Sequence, residues 1–278
     1  MNFSVLMSVY HKESPSYFRE CLDSLLHQTV MPQEIILVKD GELNPSLETV
    51  IIEYLNVLPM TVVGYKDNRG LAYALNYGLD YVSTELVARM DADDICFKSR
   101  FEIQLKEFEE YKELEVLGTG IEEFYYAKND CLTNRRIYPE ETCRQSLSLF
   151  KGTPVAHPTV MMKTNLLNQY RYQTSCTLNE DIDLWMRLLC DGHIIRTIQE
   201  PLLRFRITDN SFKRRSLKKA FSEFTIYWHA LNSIHGFSVL NGLLIIRLLS
   251  RFLPFGVAKY LYFSKGRNAF FRFDNCEK

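Results

Sequence analysis

Three carboxylates crowd into four residues at Asp91-Ala92-Asp93-Asp94, directly after the apolar run Leu86-Val87-Ala88-Arg89-Met90. Side by side they repel one another, and a cation relieves that repulsion. Hard oxygen ligands suit Mg²⁺ or Mn²⁺, and Mg²⁺ usually completes its shell with substrate phosphates. The same string also reads as a solvated acidic turn, or as the cap of a helix starting near Phe97. A second acidic group, Glu180-Asp181, precedes Ile182, Leu184, Trp185, Leu188 and Leu189 at helical spacing. Acids at a helix start favour the dipole, and Asp181 could in addition take a proton from a hydroxyl. His157 stands beside the apolar run Val160-Met161-Met162, where a lone histidine is more often a core or loop residue than a ligand. Arg204 and Arg206 flank Phe205; they offer bidentate forks to a diphosphate or belong to the surface of a strand. Asn68-Arg69-Gly70 could bring a cation and backbone N–H groups to a phosphate at a helix start.

These residues need elements to position them. Phe3–Tyr10, Glu34–Val38, Met60–Val63 and Leu86–Met90 read as strands, the first a near-continuous apolar run expected of a strand covered on both faces. Tyr17 to Leu26, Leu47 to Leu55 and the segment from Gly70 through Leu71, Leu75, Leu79 and Val82 read as helices between them. Strand–helix repetition implies a parallel sheet with right-handed crossovers. Ligands bind beyond the carboxyl ends of such strands, so Ser8/Tyr10, Lys39/Asp40 and Asp91/Asp93/Asp94 should converge on one edge.

The 278 residues carry 33 Lys+Arg and 34 Asp+Glu, a formal net charge of −1. That total hides an asymmetry: residues 1–200 hold 19 basic and 30 acidic side chains, and residues 201–278 hold 14 and 4. An acidic body with a basic remainder suggests two surfaces with different partners. The 46% hydrophobic content is that of a globular chain and excludes fibrous or largely disordered classes. Seven scattered cysteines without a C-x-x-C pair fit reduced thiols better than a disulfide framework or a zinc site. The stretch His229–Ile246 lacks acidic residues, Lys and Arg but is diluted by polar ones, so no membrane span is expected.

Taken in order, the blocks Ser4–Tyr10, Ser24–Thr29, Glu34–Gly41, Asn68–Leu71, Met90–Asp94, His157–Val160 and Glu180–Trp185 resemble a family 2 glycosyltransferase. Among its members they are most similar to bacterial transferases that build O-antigen or exopolysaccharide repeat units of the amylovoran type. The resemblance implies an α/β GT-A fold, a mixed sheet flanked by helices, over residues 1–210, with a C-terminal helical basic segment over 211–278. It also implies an inverting hexosyltransferase, a UDP-sugar donor and Mn²⁺ or Mg²⁺. Carried over residue by residue, Ser8, Tyr10, Asp40 and Arg69 would hold the nucleotide, with Asp40 near the uracil. Asp91 would face the ribose or the metal, and Asp93 would link the metal to the diphosphate. Asp181 would be the base, with Glu180, Trp185 and His157 on the acceptor side and Arg206 available to the diphosphate. Specificity would lie in loops near residues 122–157 and 165–180.

The chain departs from the family pattern at two positions. Lys39 stands where a second acid is common, and Thr208 where many members carry a metal-binding histidine. The Q-x-x-R-W signature of processive synthases is absent, which points to transfer of one sugar. The acceptor implied is a lipid-diphosphate-linked saccharide, of the kind used in lipopolysaccharide and exopolysaccharide synthesis. Basic and aromatic residues from Lys213 to Arg267 suit an interfacial segment on the inner face of the cytoplasmic membrane, or a helical subdomain packed on the sheet with its charges solvated; nucleic acid is not an expected partner, since no recognition module accompanies the charge. The competing readings are a non-catalytic scaffold of the same fold and a sugar nucleotidyltransferase. The second would require a Gly-rich phosphate loop after the first strand, where this chain has His11-Lys12-Glu13-Ser14-Pro15.

Overall fold

A computed structural model describes residues 1–127, 130–146, 153–176, 178–208 and 217–250. In it the apolar runs become β1 (Phe3–Val9), β2 (Glu34–Asp40), β3 (Met60–Tyr65) and β4 (Leu86–Arg89). Between them lie α1 (Pro15–Leu26), α2 (Pro45–Tyr54) and α3 (Leu71–Leu79). Pro15 and Pro45 stand in the first turns of α1 and α2, where the missing N–H is no loss. The Asn44 side chain accepts from Leu47 N at 3.0 Å and caps α2. Val82 lies beyond the end of α3, in the turn that leads to β4.

β1 pairs in parallel with β2 and β4, and β2 pairs in parallel with β3. The carboxyl ends of these strands therefore share one edge, which gathers Ser8, Tyr10, Asp40 and the Asp91–Asp94 turn.

The chain continues through β5 (Ile95–Cys96), α4 (Arg100–Glu110), β6 (Val116–Ala127), β7 (Asp130–Arg136) and β8 (Glu141–Thr142). A 3₁₀ turn at His157–Thr159, β9 (Met161–Lys163), α5 (Thr164–Tyr170), α6 (Glu180–Cys190) and β10 (Ile195–Arg206) follow. The sheet runs β3-β2-β1-β4-β9-β6-β10-β5, with β7 on β6 and β8 on β10. It is mixed, because β9 is antiparallel to both β4 and β6. Much of the stretch expected as specificity loops is regular structure. Residues 121–127 pair antiparallel with 130–136, and 164–170 form a helix.

Two apolar layers cover the sheet. Alternation along β1 sends Val5, Met7 and Val9 to one layer with Phe18, Leu22, Val50 and Phe101. Leu6 goes to the other with Leu75, Trp185 and Leu189. That second layer also takes Tyr227 and Leu231 from α7 (Leu217–His235) and Leu244 from α8 (Val239–Ser250). The C-terminal helices thus complete the main core and do not form a separate one. The expected boundary near residue 210, together with Lys213, Arg214, Arg215 and everything after Ser250, lies outside the described residues. No helix among the described residues is long and apolar enough to cross a membrane, and the six cysteines among them are free.

The turn after β2 depends on Gly41, whose φ is +90°. A Cβ there would stand 2.8 Å from the Asn68 backbone nitrogen. Gly41→Ala should therefore lower stability by about 1–3 kcal/mol, through a left-handed conformation and a backbone clash. Urea unfolding monitored by far-UV circular dichroism measures it.

Candidate active site

The carboxyl ends of β1, β2 and β4 deliver the polar groups. Ser8 is the penultimate residue of β1, and half-buried Tyr10 follows the strand. Asp40 closes β2, and its carboxylate is fully engaged. Oδ1 accepts from Tyr65 Oη at 2.9 Å and Arg69 N at 2.7 Å; Oδ2 accepts from Asn68 Nδ2 at 2.9 Å and Gly70 N at 3.0 Å. Asp40 thereby fastens the loop that enters α3. The backbone N–H groups that the sequence offered to a phosphate are taken by this carboxylate. Burial and the neighbouring Asp40 push the Tyr65 phenol well above its ordinary pKa. The exposed Arg69 guanidinium lies 3.5 Å over the Tyr73 ring centroid. Lys39, at the position of the missing acid, pairs with Glu48 at 3.0 Å.

The acidic turn is the centre of the site. One carboxylate oxygen from each of Asp91, Asp93 and Asp94 lies within 4.8 Å of the others. Asp94 is 1% exposed. Its Oδ1 accepts from Arg206 N at 2.8 Å, and its Oδ2 has no partner. Burial first, then the charges of Asp93 and Asp91, hold its pKa well above the carboxylate range. An orphaned, buried carboxylate oxygen beside two further acids is a hard donor set that fits a Mg²⁺ or Mn²⁺ ion.

Arginines hold this turn from several sides. Arg206, 3% exposed, donates from Nε to the Asp93 carbonyl at 2.7 Å and from Nη2 to Glu20 at 2.6 Å. It lies between the rings of Tyr17 and Phe124. Its backbone N–H and Nε grip the turn, Nη2 ties it to α1, and Nη1 lacks a partner. Arg204 pairs with Glu122 at 3.0 Å. Arg89 ends β4 and pairs with Asp91. Fully buried Arg100 donates to the Arg89 carbonyl at 2.9 Å. Arg100 also reaches Gln104, whose amide bonds the carbonyls of Leu117 and Thr159. That chain links β4, β6 and the His157–Thr159 turn.

Opposite stands α6, with Glu180, Asp181 and Asp183 in its first turn. Burial raises the pKa of Asp181, and the charge of Asp91 adds to that while Lys219 opposes it. Burial also raises Glu180, with Asp181 next in effect. Asp91 and Asp181 therefore lie close enough for their charges to interact. Asn179, just before α6, donates to the Lys219 carbonyl on α7 at 3.0 Å and so ties the start of α6 to α7.

His157 and Trp185 are both buried and touch each other. The His157 Nε2 and the Tyr172 hydroxyl are 2.8 Å apart, and the imidazole meets the Trp185 ring edge-on. Burial, reinforced by the Arg89 charge, depresses the His157 pKa far below its usual value. Tyr172 is pinned by two bonds to the Asn76 amide, at 2.9 and 2.7 Å. Among the described residues twelve buried side-chain polar atoms lack a partner. Seven of them belong to Arg89, Asp94, Asn179, Glu180, Trp185 and Arg206. Unsatisfied groups are costly, and their concentration here marks a place built around something else.

The sequence profile of Glycosyl transferase family 2 matches residues 4–170. The chain belongs to glycosyl transferase family 2. Over 94% of its length it is 34% identical to an amylovoran biosynthesis glycosyltransferase, AmsE, of Erwinia amylovora, covering 97% of that protein. It is 32% identical to a UDP-Gal:alpha-D-GlcNAc-diphosphoundecaprenol beta-1,3-galactosyltransferase of Escherichia coli, covering 94% of both. Among solved structures it resembles a mannosyltransferase from Pyrobaculum calidifontis in complex with GDP-Man and Mn²⁺. That similarity has a TM-score of 0.63 at 15% identity and covers 97% of this chain and 83% of the other. S. aureus TarS 1–349 in complex with UDP-GlcNAc gives 0.61 at 17% identity, covering 98% and 78%. At these identities the structures establish the fold, the GT-A arrangement, and the family establishes a glycosyltransferase.

Sequence reasoning about this family 2 member singled out neither Arg89 nor Tyr172, Asn76 or Asn179. Arg89 alone left a signal, a charged residue inside an otherwise apolar strand.

The depressed His157 pKa has a measurable consequence. The unfolded chain binds a proton below about pH 6.5 that the folded chain refuses, so His157-linked stability is present above that pH. It falls by up to about 1.4 kcal/mol per pH unit as the pH drops below it. His157→Gln should remove that component. Chemical denaturation of both proteins at pH 7.0 and 5.5 should show a smaller loss in the variant.

Proposed function

We propose that this glycosyltransferase moves a single hexose, as Gal, Glc or GlcNAc, from a UDP-sugar to a saccharide carried on a lipid diphosphate, with inversion at the anomeric carbon. The setting would be O-antigen or exopolysaccharide synthesis. The observation that carries the reading is the cluster of Asp91, Asp93 and Asp94 at the strand ends, with buried Asp181 near enough to feel the charge of Asp91. The Escherichia coli relative, a galactosyltransferase from UDP-Gal to alpha-D-GlcNAc-diphosphoundecaprenol, supplies the donor and acceptor classes.

In this reading Asp93, with Asp91 and Asp94, holds Mn²⁺ or Mg²⁺. Bound there, the ion supplies positive charge that stabilises a departing diphosphate. Ser8, Tyr10 and Arg69 border the nucleotide, while Asp40 keeps the Asn68–Gly70 loop in register beside it. Arg206 keeps the acidic turn in place. Asp181 accepts the proton of the attacking acceptor hydroxyl, and the burial that raises its pKa strengthens it as a base. Glu180, Trp185 and His157 shape the acceptor side; neutral His157 adds no charge there. One displacement without a covalent enzyme intermediate inverts the anomeric centre.

A lipid-linked acceptor calls for a membrane surface. Phe237 and Val239 are 84% and 81% exposed, and Ile246 and Leu249 on α8 are also exposed. Basic Lys218 and Lys219 lie on α7. This combination supports peripheral attachment at the inner face of the cytoplasmic membrane.

The test measures UDP release from UDP-Gal, UDP-Glc and UDP-GlcNAc, with Mn²⁺ and a lipid-diphosphate GlcNAc or GalNAc analogue. Asp181→Asn should lower kcat by about 100-fold or more while UDP binding holds. Asp93→Asn should lose turnover and Mn²⁺-dependent UDP binding together. No turnover with any donor, or an active Asp181→Asn, sinks the reading.

A further inference from the structure

Arg89 closes β4 at 5% exposure. An arginine this deep persists only where opposing charge holds it. Its backbone is fixed on both sides: the N–H donates to the Val160 carbonyl at 2.8 Å, and the carbonyl accepts from Arg100. Its Nη2 pairs with Asp91 Oδ1, whereas Nε and Nη1 are buried without any partner. Its charge acts on Asp91 and Asp94, on Tyr172 and His157, and on Glu180. Arg89 is therefore a fixed cation on the acidic turn, near enough to the start of α6 for its charge to act on Glu180.

Asp91 also belongs to the oxygen cluster that fits a divalent ion. One carboxylate oxygen cannot serve two cations equally, and a guanidinium a few ångströms from an incoming ion repels it. We propose that Arg89 is a positioning residue that competes with the divalent cation for Asp91, holding the acidic turn assembled while weakening its affinity for the bare ion. The inference rests on the reading of Asp91, Asp93 and Asp94 as the metal site. It has a directional consequence. A diphosphate adds oxygen ligands and negative charge, which offset the repulsion from Arg89, so ion and nucleotide bind together more readily than the ion alone. Arg89 thus ties loading of the ion to arrival of the donor.

The experiment titrates Mn²⁺ into the full chain, following the electron paramagnetic resonance signal of free Mn²⁺, with and without UDP. Arg89→Gln should bind Mn²⁺ about tenfold more tightly than the wild-type protein without nucleotide. With UDP present the difference should shrink, and kcat should fall because Asp91 is no longer held. Arg89→Lys keeps the charge but loses the fork, and should bind bare Mn²⁺ with an affinity between the two. A purely structural Arg89 would instead weaken Mn²⁺ binding in step with the melting temperature. Equal or weaker binding by folded Arg89→Gln overturns the proposal. If that variant does not melt cooperatively, equal or weaker binding by Arg89→Lys overturns it. A wild-type protein that binds Mn²⁺ with UDP, beside variants without the gain, leaves the metal site standing and removes only the role of Arg89. A wild-type protein that binds no Mn²⁺ even with UDP removes both.

Discussion

Like charges held close together are the constraint around which the strand-end site is organised. The oxygens of Asp91, Asp93 and Asp94 lie within 4.8 Å of one another, and water that would screen them is largely excluded from Asp94. The fold responds with fixed positive groups and directed donors. Arg206 grips the Asp93 carbonyl and the Asp94 carboxylate, Arg89 pairs with Asp91, and Arg100 secures the strand behind them. Each of these arginines is itself buried and needs the surrounding sheet to stay in place. The repulsion within the turn and the rigidity of the sheet are therefore linked. An acidic turn of this kind on a loose loop would splay apart.

The parallel half of the fold was legible because its signals are local. Phe3–Val9 and Glu34–Asp40 are apolar runs of strand length, and the helices between them carry 3.6-residue periodicity. Placing Asp40 and Asp91 at strand ends followed from those elements alone. The second half was not legible in that way. β10 pairs with β6 across a long stretch of chain, β10 mixes Arg, Thr, Gln and Glu with apolar residues, and its register with β6 shifts around Pro201. Such strands are specified by their neighbours more than by their own pattern. The same limit applies to side chains. Arg206 reads in sequence as a partner for a diphosphate or as a strand-surface residue, whereas in space its side-chain donors meet Asp93 and Glu20. Tyr172 carries no signal of its own, because its place depends on Asn76 in α3 and His157 in a distant turn.

Asp40 illustrates how one residue type can perform a task its motif does not announce. A carboxylate at the end of a strand beside a nucleotide pocket suggests direct recognition of the ligand. Here both oxygens are engaged by Tyr65, Asn68, Arg69 and Gly70. The effect is to fix, from another strand, the loop that bears Arg69 and enters α3. Lys39, the neighbouring departure from the family pattern, is likewise turned to Glu48 on α2.

The bond from Asn179 to the Lys219 carbonyl joins the helix carrying Asp181 to the helical pair at the C-terminal end. Tyr227 and Leu231 of that pair pack in the same layer as Trp185 and Leu189. Modular exchange between relatives is therefore restricted. A hybrid that takes its C-terminal helices from another parent must take α6 with them, or Asp181 and its footing will come from different lineages.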